Sequence, residues 1–175
     1  ERLAYKIWKE LGRKYNYEIN KSIYKKTIGL NSKKAKQIYR EYFGDSFPHE
    51  EMLIKERKIL RNHILSEGAP LKEGLYELLD YIKSKKLKIA LVTSSGRKKT
   101  ELLLDLSDTK KYFDVITCGD EITSGKPDPE IFIRTAKKVG CLPENCMVLE
   151  DSENGIRAAY RAGMLPVMIP DIIEP

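Results

Sequence analysis

Apolar positions recur at spacings of three and four through the first third of the chain. Leu3, Ile7, Trp8, Leu11 and Tyr15 share one face of a predicted helix. Lys33 to Phe43 predicts a second helix with Gly44 as its stop. A third runs from about His49 to Leu65, with Met52, Leu53, Ile59, Leu60 and Ile64 as its apolar set. From Ala69 the pattern changes. Leu75, Leu78, Leu79 and Ile82 mark an amphipathic helix, and short apolar runs follow near residues 88–93, 113–117, 146–150 and 166–169. Helical patterns separate those runs, for example Phe132, Ala136 and Val139 behind Asp128-Pro129, where Asp128 can cap and Pro129 can take the first helical position. Short buried strands alternating with helices predict βαβ units. The expected fold class is therefore α/β: a doubly wound parallel sheet at 69–175, preceded by a small helical domain at 1–68.

Composition narrows the class. Of 175 residues, 41% are apolar and 33% charged, which excludes wholesale disorder. Apolar runs such as Ile89–Val92 are far too short to cross a bilayer, so no membrane partner is expected. Cys118, Cys141 and Cys146 are odd in number and lack CxxC spacing, so reduced thiols and a cytoplasmic location are expected. The net charge of +6 is unevenly placed: residues 1–68 hold 16 Lys+Arg against 9 Asp+Glu, and residues 69–175 hold 16 against 17. A basic lid over an anionic small molecule fits that asymmetry. No zinc-finger, RNP or helix-turn-helix motif accompanies the charge, so nucleic acid is not an expected partner. The sequence carries no signal of oligomeric state.

Chemistry collects at the strand ends. The first strand runs into Thr93-Ser94-Ser95, the second leads to Ser124-Gly125-Lys126-Pro127, and the third ends in Glu150-Asp151-Ser152. Taken singly, Thr93 reads as a turn residue, Lys126 as a solvated charge and Glu150-Asp151 as a helix cap. Carboxyl ends of parallel strands share one rim, however, so the three groups converge. A hydroxyl, backbone N–H groups and an ammonium suit a phosphate, and paired carboxylates suit a hard cation such as Mg²⁺.

Three segments, IALVTSSGR, SGKPDPEIF and VLEDSENGIRAAYRAGM, resemble the second, third and fourth motifs of the haloacid dehalogenase superfamily. The resemblance is to the branch holding β-phosphoglucomutase and sugar-phosphate phosphatases, and it covers about residues 69–170 with a helical cap before them. It implies a Mg²⁺-dependent phosphatase of a small phosphorylated metabolite, acting through an aspartyl-phosphate. It assigns Thr93 as the phosphate-binding hydroxyl, with the Ser94 backbone N–H beside it. Lys126 becomes the lysine that steadies the nucleophile and phosphoryl group. Asp151 becomes a Mg²⁺ ligand, with Glu150 either a ligand itself or held just behind the ligands.

Family members open with a strand ending in Asp-x-Asp-Gly, and no such motif occurs here. The attacking aspartate is expected upstream, the core is expected to lack its first strand and last helix, and these residues alone are expected to be inactive. A gap is expected between the strands at Ile89 and Met147. True β-phosphoglucomutases carry a histidine four residues before the first cap-helix tryptophan, where Ala4 stands relative to Trp8. They also carry an arginine after the glycine of the next cap loop, where Gly29-Leu30-Asn31-Ser32 is followed by Lys33. Arg61 aligns with a basic substrate-contacting position, so Arg61 and Lys33 are the candidate substrate residues of the cap. These departures favour a phosphatase over a mutase. Mutase-type phosphotransfer and a non-catalytic phospho-ligand-binding fragment remain the alternatives. Trp8 and the cap tyrosines are expected to pack, and His49 and His63 receive no role.

Overall fold

The computed structural model describes residues 2–68 and 71–171. The expected boundary at 68/69 touches residues 69–70, which lie outside the described residues, as does the expected core end at 172–175.

Four helices come first: α1 (Arg2–Lys14), α2 (Lys21–Lys25), α3 (Ser32–Phe43) and α4 (His49–Glu67). Asparagines set two of their starts. Asn20 Oδ1 accepts from Ile23 N at 3.0 Å, and Asn31 Oδ1 accepts from Lys34 N at 3.0 Å, each satisfying an orphan donor of the first turn. The helices enclose a cluster that includes Ile7, Trp8, Leu11, Tyr39, Phe47 and Met52. Trp8 stacks on Tyr39 with ring centroids 5.0 Å apart, and Trp8, Tyr24 and Tyr39 are buried as expected, whereas Tyr42 is exposed at the end of α3. On α4 the buried stripe is His49, Met52, Glu56, Leu60 and Ile64. Ile59, expected inside, is exposed, because it sits about 100° around the helix from Leu60 and a glutamate occupies the inward turn.

The second part alternates. It runs α5 (Leu75–Ser84), β1 (Ala90–Val92), α6 (Arg97–Leu106), β2 (Val115–Thr117), α7 (Glu130–Val139), β3 (Met147–Glu150), α8 (Glu153–Arg161) and β4 (Leu165–Met168). Helix α7 starts one residue later than Pro129. Pro129 is therefore the N-cap in place of Asp128, which lies one residue earlier and whose Oδ1 accepts from Glu130 N at 2.9 Å. Strands β1 and β2 pair in parallel, Ala90 with Val115 through Val92 with Thr117. Strands β3 and β4 pair in parallel, Met147 with Leu165 through Glu150 with Met168. A second apolar cluster, built on Ile131, Phe132, Ala136, Ala158, Ala159 and Met164, packs α7 and α8 together.

The α/β class is as expected, with one difference in the sheet. Among the described residues the strands form two separate two-stranded ladders, and β1 does not hydrogen-bond to β3. This is the gap that the sequence predicts between Ile89 and Met147. Leu149 and Leu165 are correspondingly 45% and 57% exposed, apolar side chains that a parallel sheet ordinarily covers on both faces.

Candidate functional site

Strands are parallel within each ladder, and the residues after β1, before α7 and after β3 come together on one rim. That rim floors a cavity of about 930 Å³, whose lining includes Thr93, Ser94, Lys126, Glu150 and Asp151 below and His49, Arg57 and Arg61 above.

Thr93 extends the β1–β2 ladder, its N–H donating to Thr117 O at 3.1 Å. Its hydroxyl oxygen accepts from Ser95 N at 3.1 Å, which leaves the O–H hydrogen for an acceptor in the cavity. The Ser94 hydroxyl is engaged elsewhere, donating to Gly29 O at 2.8 Å. From Ser94 the backbone N–H, the group assigned to it by the sequence, is left for an anion.

Lys126 is only 3% exposed. A charge so buried needs a partner, and Lys126 Nζ donates to Glu150 Oε2 at 2.8 Å while lying 5.1 Å from the centre of the Phe132 ring. An ammonium has three donors, so Lys126 retains hydrogens for an incoming oxyanion. The other Glu150 oxygen accepts from Ser152 Oγ at 2.6 Å. Ser152 also caps α8, its Oγ accepting from Gly155 N at 3.0 Å. At position 155 an added Cβ would overlap the Glu150 carboxyl group, which explains physically why the EDSxxG segment carries glycine there. Both Glu150 oxygens are therefore held by protein groups. That geometry makes Glu150 the anchor of Lys126, while Asp151 stands on the cavity wall.

The expected cap residues separate. Arg61 lines the cavity, but Lys33 is exposed and is not part of the lining. The Asn31 cap starts α3 at Ser32, and this phase turns Lys33 outward and Lys34 toward the α/β part. Lys34 Nζ donates to Gly125 O at 2.8 Å. The sequence reading also passed over His49, Arg57, Lys98 and Lys99, all of which line the cavity. His49 is buried against Trp8, Tyr39 and Phe47, and that burial lowers its pKa from the ordinary 6.5. A lone histidine with no motif around it gave no signal; its place on the buried stripe of α4 is what reveals it.

For a metal, the donors expected were Asp151 and Glu150. Among the described residues the three-donor group is a different one, Cys118, Asp120 and Glu121, with donor atoms within 4.8 Å of one another. Its geometry is that of a structural knot. Lys138 and the Cys118 N–H bond to Glu121, Arg97 pairs with it, and together they lower the Glu121 pKa to about 2. Asp120 Oδ2 accepts from Arg97 N at 2.9 Å at the start of α6.

A parallel α/β scaffold with an ammonium, a hydroxyl and carboxylates gathered at its strand ends defines a Rossmann-like protein with an anion-binding site. Residues 1–169 match the model for haloacid dehalogenase-like hydrolases, and the chain belongs to that family, in its β-phosphoglucomutase-like phosphatase branch. It is 30% identical over 166 residues to a phosphorylated carbohydrates phosphatase of Thermotoga maritima, covering 94% of this chain and 76% of that protein. It is 32% identical over 171 residues to a probable pseudouridine-5'-phosphatase of Drosophila melanogaster, covering 94% of this chain and 71% of that one. Among solved structures it is similar to β-phosphoglucomutase of Clostridium difficile, with a TM-score of 0.80 and 26% identity over 97% of this chain and 78% of that one. No helix of the described residues is long and apolar enough to cross a membrane.

Proposed function

We propose that this chain carries most of a Mg²⁺-dependent phosphatase acting on a small phosphorylated metabolite of the sugar-phosphate kind, with α1–α4 as the cap. The observation that carries the reading is the convergence of Thr93, Lys126 and Asp151 from three loops on one cavity under basic side chains. The relatives add weight, since two are phosphatases by description. Three free thiols support a cytosolic location.

The attacking carboxylate belongs to an Asp-x-Asp strand upstream of Glu1, seated between the β1 and β3 edges. It displaces the alcohol from phosphorus: an Asp O–P bond forms, the P–O bond to the leaving group breaks, and that oxygen takes a proton. Water then attacks the aspartyl-phosphate and releases inorganic phosphate. Thr93 O–H and Ser94 N–H donate to the phosphoryl oxygens, and Lys126 neutralises charge that builds on them. The Lys126–Glu150 pair fixes the ammonium before substrate arrives, so little reorganisation is left for the reaction. Cap groups exclude bulk water and meet the leaving group.

A hard oxygen donor at Asp151 fits Mg²⁺, which is held by one or two carboxylates together with waters and substrate phosphate. Asp151 would hold the ion with the upstream aspartates, and Glu150 would stand behind it. When bound, the ion supplies charge neutralisation at the phosphoryl oxygens.

The test is turnover of sugar phosphates by the intact protein with Mg²⁺. Lys126→Ala and Asp151→Asn should each lower kcat by about 10²-fold or more. Near-normal rates from both would overturn the site assignment. An isomerised sugar phosphate in place of free phosphate would mean mutase chemistry. Phosphate binding without turnover would mean a binding protein.

A further inference from the structure

The cap segment from Ile28 to Lys34 is hydrogen-bonded to the Thr93 and Lys126 loops and to the first turn of α8, which follows Asp151. Ser94 Oγ, next to Thr93, donates to Gly29 O at 2.8 Å. Asn154 Nδ2, three residues past Asp151, donates to Ile28 O at 3.0 Å. Lys34 Nζ donates to Gly125 O at 2.8 Å and reaches Lys126 O at 3.4 Å, so a cap ammonium holds the backbone on which the catalytic lysine stands.

Two glycines make the fit close. Gly29 has φ +77°, and a Cβ there would overlap the Ser152 hydroxyl that orients Glu150. At Gly125 a Cβ would lie 2.6 Å from Asn31 Nδ2. Each of the three bonds reaches across at least 65 residues of sequence, so none of them is a local turn.

We propose that Lys34, Ser94 and Asn154 are positioning residues forming a three-point clamp. The clamp makes the alignment of Thr93, Lys126 and Asp151 conditional on the cap being seated. The proposal rests on the phosphatase reading for its kinetic consequence, but the clamp itself is a matter of structure. Lys34 carries the largest share: its bonds to carbonyls are charge-assisted, and they fix the loop holding the single buried ammonium of the site. The Gly125 and Lys126 carbonyls are oriented by the cap, so opening the cap frees that loop and not only the cavity mouth.

The experiment uses the intact protein and the variants Lys34→Met, Lys34→Arg and Asn154→Ala. Hydrogen exchange is followed by mass spectrometry, and kcat and KM by phosphate release with Mg²⁺ present. Lys34→Met keeps the aliphatic stem and removes the charge. It should speed exchange in residues 124–128 as well as in 28–34, and lower kcat about tenfold with KM within about twofold. Lys34→Arg, which can still donate to both carbonyls, should restore most of the rate. Asn154→Ala should speed exchange at 28–34 and lower kcat by a smaller factor. Unchanged exchange at 124–128 in Lys34→Met would overturn the clamp, as would failure of Lys34→Arg to recover any of the loss. If the wild-type protein hydrolyses no phosphomonoester, the functional reading fails, while the exchange data still decide the clamp.

Discussion

Gly155→Ala offers a test in which helix propensity and site geometry give opposite signs. The residue lies in the first turn of α8, where replacing glycine by alanine ordinarily stabilises by about 1 kcal/mol. Here the new methyl would coincide with the Glu150 carboxyl carbon and Oε1. Glu150 must swing away. Lys126, whose side chain is 4% exposed, then loses its counterion, and removing one partner of a buried pair costs about 3–5 kcal/mol. The Ser152 hydroxyl loses its acceptor as well, worth about 1 kcal/mol. After the propensity gain and some relaxation of Lys126 toward the cavity, the net effect is a destabilisation of about 3 kcal/mol. Urea unfolding of the intact protein, followed by far-UV circular dichroism, measures it. The decisive comparison is the same substitution in a Glu150→Ala background, where the clash is gone and Gly155→Ala should be neutral or stabilising by up to about 1 kcal/mol. A double-mutant cycle should thus give a coupling of about 3–4 kcal/mol. A raised midpoint for the single variant, or equal effects in both backgrounds, would refute the account of this glycine.

Two pH effects follow from the same structure. His49 is buried with its pKa lowered below 6.5, so its stabilising contribution is complete above pH 6.5 and is lost as the pH falls through the folded-state value. The helical part should lose urea resistance as the pH falls below 6.5, read by fluorescence of Trp8, whose ring centroid lies 5.5 Å from that of His49; His49→Gln should flatten the dependence. Glu121, lowered from 4.5 to about 2, contributes stability that is present above pH 4.5 and fades as the pH drops toward 2. Glu121→Gln should cost about 1 kcal/mol at pH 7 in a urea titration and reduce the acid sensitivity of the protein, and an unchanged acid midpoint would count against the Arg97–Glu121–Lys138 knot.

How far the sequence could be read depended on whether the controlling interactions were local. The β1, β2, β3 and β4 segments stood out as short apolar runs, and the groups following them were legible because the ends of parallel strands share a rim. The phase of a helix was harder. Apolar spacing alone favoured Ile59 over Glu56 on α4, since a buried glutamate breaks the pattern that the reading depends on. A single residue of phase at the start of α3 separated Lys33, which is exposed, from Lys34, which reaches Gly125 from 91 residues away. Glu150 shows the same limit. Its type and place in the motif left open whether it holds a metal directly or stands behind the ligand, and its bonds to Lys126 and Ser152 exist only once β3, α8 and the 124–127 loop are packed.

Among the described residues two apolar clusters share no buried residue, one within α1–α4 and one between α7 and α8. The two parts meet through Leu103, which leans on the first cluster, through Arg2 with Asp171, and at the segment from Ile28 to Lys34, where backbone carbonyls accept from side chains of the opposite part. The Ile28 and Gly29 carbonyls are present whatever the neighbouring side chains, so away from Lys34, whose side chain makes the third contact, and Gly29, where a Cβ would meet Ser152, cavity-facing residues such as Arg57 and Arg61 can vary without breaking these contacts. Such a division lets substrate preference diversify by substitution in one half while the other half stays fixed. A scaffold of this kind is suited to supply a lineage of enzymes that share one reaction and differ in what they admit.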